Sequence, residues 1–90
     1  MPAQLRAAAA TIGVALNMLH TAPGSPAVLG AVDQAAAAVA LLTPDLTGQA
    51  LRRLVIDIEH CHRSGVPHSP RLQTDLRAAM IALLIDPRWV

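Results

Sequence analysis

The run Glu59-His60-Cys61-His62, with His68 six residues further on, gathers the carboxylate, imidazole and thiolate groups that zinc and related metals select. On a helix, Glu59 and His62 stand on one face at the i, i+3 spacing, whereas His60 diverges from His62 by about 200°. Glu59, His62 and His68 are therefore the candidate ligands of a metal-binding helical protein, with His20 available to complete a shell. A Glu-x-x-His pair of this kind occurs in helical di-iron proteins, where glutamates from other helices complete the centre. Here Glu59 is the only glutamate, so Asp57 or Asp33 would have to substitute in an oligomer. Histidines near a helix C-terminus also have an ordinary use, because a protonated ring there meets the negative end of the helix dipole and donates to unpaired carbonyls. The expectation is that the chain takes no cofactor, with metal binding as an alternative.

Cys61, with a histidine on each side, invites a nucleophile reading. Adjacent helical residues point apart, however, and no Asn or Asp is placed to orient a base, so a small buried thiol is expected instead. No activated nucleophile, paired carboxylates or phosphate-cradling glycine loop is visible, which argues against an enzyme. The nine residues Leu51-Arg52-Arg53-Leu54-Val55-Ile56-Asp57-Ile58-Glu59 resemble the first helix of small all-helical chorismate mutases. Those enzymes hold a dianionic substrate with several cationic groups including a lysine; this chain has no lysine, and no residue role is carried across.

The elements that must position these groups are announced by three pairs, Ser25-Pro26, Thr43-Pro44 and Ser69-Pro70, each just before a helical hydrophobic pattern. A Ser or Thr hydroxyl accepts from an orphan N–H of the first turn, and a proline at the first helical position gives up only a donor that had no partner there. The spacing predicts an all-α, compact four-helix domain over 1–90, with helices about 3–20, 26–42, 44–62 and 70–85. Inward faces are expected from Leu5, Ala9, Ile12, Leu16 and Leu19 in the first helix and Val28, Val32, Ala35, Val39 and Leu42 in the second. The third should bury Leu51, Leu54, Val55, Ile58 and Cys61 or His62, and the fourth Leu72, Leu76, Ala79, Met80, Leu83 and Leu84. Arg53 and Asp57, four apart, are expected to lie off the buried face and are able to pair there. The tail Arg88-Trp89-Val90 carries the only aromatic ring, expected over one end of the bundle.

Charged residues make up 14% of the chain, against about 25% in ordinary soluble domains. A mean hydropathy of +0.43 points the same way: a lone copy leaves much aliphatic surface wet. The second helix is apolar nearly all round, which suits either a central helix or an oligomer contact, with Ala36, Ala37 and Leu41 as the candidate interface. A net charge of +1 and the near-absence of aromatic rings remove the basic stripe and stacking platforms of nucleic-acid binders, so nucleic acid is an unlikely partner. A helix-turn-helix regulator is nonetheless weighed, since the second and third helices join abruptly and the third bears Arg52 and Arg53; its first turn, with Asp45, Leu46 and Thr47, would set a carboxylate beside phosphate.

Arg6, the apolar run from Ala7 to Leu19 and the small residues Ala22 to Ala27 imitate a secretory signal, but Thr11, Gly13, Asn17 and His20 favour an amphipathic first helix. No uninterrupted stretch reaches the length of a membrane span. One cysteine fits a reducing compartment, and a cytoplasmic location is expected. What remains is a small helical protein–protein interaction or oligomerisation module, a homo-oligomer with a further protein partner unknown.

Overall fold

The structure, a computed structural model, describes residues 3–89. Among them are four helices and no strand: α1 (Ala3–Thr21), α2 (Pro26–Ala40), α3 (Leu46–Ser64) and α4 (Pro70–Ile85). Two of the three Ser/Thr-Pro signals act as read. The Ser25 hydroxyl accepts from the Ala27 N–H, the Ser69 hydroxyl accepts from the Leu72 N–H at 3.1 Å, and each helix starts on proline.

The third signal does something else. The cap of α3 is Asp45, whose Oδ1 accepts from the Gly48 N–H at 2.9 Å, so α3 starts two residues later than its pattern predicts and α2 stops at Ala40, two residues earlier. A carboxylate at this position both caps the N–H and meets the positive end of the helix dipole, and it outcompetes the Thr43 hydroxyl. Thr43 instead donates to Asp45 Oδ2, and its carbonyl lies so close to Gly48 that a Cβ there would collide with backbone. The segment between α2 and α3 is held further by Arg52, whose Nη2 donates to the Leu42 carbonyl at 2.7 Å. At the other end α3 closes on Gly65, with φ of 68°, while the Gly65 and Val66 N–H groups return to the His62 and Cys61 carbonyls.

The central helix is α3, not α2. It packs against α1, α2 and α4, and buries Leu51, Leu54, Val55, Ile58 and Cys61 together with Ala50 and Thr47. A helix can be apolar all round and still lie outside: on α2 only the stripe Val28, Ala31, Val32, Ala35 and Val39 is covered, and its alanines tolerate water on the other faces. The stripe on α1 is Leu5, Ala8, Ile12, Ala15 and Leu19, with Leu16 partly covered. No Cα of α4 comes within 8 Å of α1 or α2. With a single partner helix, α4 hides only Leu72, Ala79 and Ala82, with Leu76 and Leu83 partly covered; Met80 and Leu84, expected inside, face water. Trp89 packs half-buried against the core, and Val90 lies outside the described residues. The radius of gyration, 12.2 Å, is about that of a compact chain of this length.

Candidate interaction surface

The outer side of α4 exposes several large apolar side chains in one stretch. Residues 78–85, Ala-Ala-Met-Ile-Ala-Leu-Leu-Ile, contain no charge. Met80, Ile81, Leu84 and Ile85 are each more than half exposed, Leu84 at 70%, and Leu46 at the start of α3 is 68% exposed beside them. Both flanks of α4 are concave. Between α3 and α4 a depression of about 290 Å³ is walled by Leu46, Ala50, Ala78, Ile81, Ala82 and Ile85, with Gln49 and Arg53 at its edge. Between α4 and α1 a smaller cleft of about 120 Å³ is lined by Ile12, Leu16, Leu54, Leu76, Met80 and Leu83.

Three polar contacts hold α4 to α3. At its start the Ser69 hydroxyl, besides capping α4, accepts from the buried Cys61 thiol at 3.7 Å. At its end lies a clamp built from the tail. Asp86 is 7% exposed, and its Oδ2 accepts from the Thr47 hydroxyl at 2.6 Å. Its carboxylate also accepts from the backbone N–H of Arg88 at 2.9 Å, from its Nε at 3.0 Å and from its Nη2 at 2.7 Å. The same Nη2 reaches Asp45 Oδ2 at 2.8 Å, so one guanidinium ties the cap of α3 to the end of α4. Arg88 and, after it, the Thr47 hydroxyl hold the Asp86 carboxyl well below the usual carboxylate range. The Gly48 N–H, with Arg88 behind it, lowers Asp45 as well.

The third contact, between those two, is of a different kind. Asp57, which spacing placed off the buried face and within reach of Arg53, is 4% exposed and faces α4. Its Oδ1 lies 3.7 Å from Nε of the exposed Arg71, too far for a hydrogen bond, and its buried Oδ2 has no hydrogen-bond partner. Burial, and then the neighbouring Asp75 carboxyl, push Asp57 up to about 6. These paired carboxylates escaped sequence analysis because residues 57 and 75 belong to different helices; an Asp inside the pattern Leu54, Ile58, Cys61 was the one available signal.

The metal candidates are not brought together. Glu59 pairs with Arg63 at 2.6 Å, His62 Nδ1 donates to the Pro23 carbonyl at 3.0 Å, and His68 stands exposed in the loop before α4. His62 thereby fastens the end of α3 to the turn between α1 and α2. Among the described residues no three His, Cys, Asp or Glu side chains converge on one point. The interface candidates Ala36 and Ala37 are exposed on α2, and Leu41 just beyond it is 73% exposed. Ala36 borders a shallow hollow of about 250 Å³ with Val39, Arg52 and Ile56. The helix-turn-helix alternative meets a steric objection: α3 would be the reading helix, yet it is the most enclosed of the four, and Thr47 in its first turn is buried under the tail.

No helix among the described residues is long and apolar enough to cross a membrane. Compared with protein-family models, with curated proteins and with solved structures, the chain matches none.

Proposed function

We propose that this protein is a helical interaction module without catalytic chemistry of its own, and that its partner on the α4 face is a second copy of the chain. The observation that carries the reading is the uncharged stretch 78–85, in which Met80, Ile81, Leu84 and Ile85 are exposed on a helix packed closely against α3 alone. A standard interface takes about 800 Å² from each partner. A helix of this length spans about 24 Å and, at about 10–12 Å wide, its outer face alone supplies on the order of 300 Å², so the interface also has to draw on the hollow along each flank and on Leu46. Pairing two copies about a two-fold axis near Ile81 runs the two α4 helices antiparallel. Arg77, on the same stripe as Ile81 and Leu84, then comes beside the C-terminal end of the other copy's α4, where the helix dipole favours a cation. Arg71 and Asp75, in the first half of α4, stay at the rim. The α2 face around Ala36, Ala37 and Leu41 is a poorer candidate, because alanines bury less area per residue than the Ile, Leu and Met of α4.

Light scattering at micromolar concentration tests the reading. The expected mass is twice 9.4 kDa, with Leu84→Glu returning the protein to 9.4 kDa at unchanged helicity and Ala37→Glu leaving the dimer intact. A wild-type mass of 9.4 kDa at high concentration would sink the proposal, and dissociation by Ala37→Glu alone would move the interface to α2.

A further inference from the structure

Against the first half of α4, the helix it packs on, α3, presents a buried carboxyl group. Asp57 is 96% shielded, has one oxygen without any hydrogen-bond partner, and looks across at a second carboxyl, Asp75. Two carboxylates in such a place repel one another, and a lone buried charge is costly unless paired. We propose that Asp57 and Asp75 share one proton across the α3–α4 contact, and that losing this proton loosens α4 from α3, making the seating of α4 sensitive to pH. The inference is independent of what covers the outer face of α4.

The surroundings leave few other ways to stabilise the charge. From α4 the groups that face Asp57 are Asp75 and Arg71, and Arg71, 84% exposed and 3.7 Å away, is a weak counter-ion. On α3 itself, Arg53 one turn earlier is exposed, and Cys61 one turn later is engaged with Ser69. Neither α1 nor α2, the other helices against α3, brings a charged group that acts on Asp57. With one proton present, the acid donates to the carboxylate opposite and both are satisfied. Without it, two anions face each other, one of them buried. The carboxyl value of about 6 for Asp57 agrees with this picture and puts the change at mildly acidic pH. A folded-state value above the unfolded one means that the folded form holds the proton more tightly, so this contribution is fully present near pH 4 and is lost as pH rises through about 6. Since no Cα of α4 comes within 8 Å of α1 or α2, its seating depends chiefly on the contact with α3, and weakening that contact is expected to loosen it.

Amide hydrogen exchange on the full chain, corrected for intrinsic rates and run at fixed protein concentration, tests this at Leu76, Ala79 and Met80. Protection there is expected to fall roughly tenfold to a hundredfold between pH 4.5 and 7.5, most of the change coming below about 6 where the curve levels off, while Ala8 and Ile12 of α1 hold theirs. Asp57→Asn supplies an amide donor toward Asp75 at every pH; it should abolish the pH dependence and keep α4 at pH 7.5 as protected as the wild type at pH 4.5. Asp75→Asn, at a half-buried position, should do the same and serves if the first variant does not fold. Equal α4 protection at both pH values in the wild type, or a full pH dependence surviving in either folded variant, would overturn the proposal.

Discussion

Asp57 and Asp86 are both buried carboxyl groups at the contact between α3 and α4, at 4% and 7% exposure, yet their environments push them in opposite directions. Asp86 receives a hydroxyl, a backbone N–H and two guanidinium N–H groups, and its proton is held off far below the usual range. Asp57 has an orphan oxygen, a distant arginine and another acid, and its proton is retained up to about 6. Similar burial therefore yields a clamp at one end of α4 and a poorly paired acid against its first half. What decides is the supply of donors: hydrogen bonds to the charged form lower a carboxyl, and dry surroundings without them raise it.

The contrast can be broken by substitution. The largest effect is expected from Asp86→Ala, which strands the buried Thr47 hydroxyl and removes the anchor of Arg88; the melting temperature should drop by on the order of 10 °C. Asp57→Asn, by contrast, should raise it at pH 7.5. Thermal melts of the two variants check both signs, and a loss in both cases would mean that Asp57 is paired more strongly than its geometry indicates.

A second expectation concerns pH. Asp86 and Asp45, lowered by their donors, contribute stability above the ordinary carboxylate value of about 4 and lose it as pH falls below, whereas the contribution of Asp57 is complete below about 4, declines from there and is gone above about 6. Denaturant unfolding should therefore show a stability maximum near pH 4 and a decline between about 4 and 6, and Asp57→Asn should remove that decline.

Smaller effects sharpen the picture at the ends of α4. Thr47→Val keeps the shape and deletes one hydrogen bond to a charged acceptor, which should cost about 1–2 kcal/mol in urea unfolding. Ser69→Ala removes the cap of α4 and the Cys61 contact, at about 1 kcal/mol, while Thr43→Ala, whose hydroxyl caps nothing, should fall within about 0.5 kcal/mol of wild type.

Four helices were legible in the residues because capping and periodicity are local: Ser25 and Ser69 stand one residue before their helices, and Leu5, Ile12 and Leu19 recur at helical spacing. The start of α3 was misread for a local reason too, since Asp45 competes with Thr43 two residues away and a carboxylate is the better acceptor at a helix N-terminus. The apolar content and the low charge of the chain pointed to an unpartnered face, for which spacing offered Ala36, Ala37 and Leu41 of the second helix; these are exposed, and so are Met80, Ile81, Leu84 and Ile85 of α4, which spacing had turned partly inward.

Composition and spacing by themselves determined the all-helical class, the helix count and most of the buried stripe, since each depends on residues within a turn or two of one another. Only the tertiary structure decided that α3 is central, that α4 leans on it alone, and that Met80 and Leu84 therefore face water. The same holds for Thr47 with Asp86 and Asp57 with Asp75, pairs 39 and 18 residues apart. Whether a side chain meets a donor or an acid across a helix contact depends on how the helices are rotated and stacked. Periodicity shows which face is apolar, and not which neighbour will cover it.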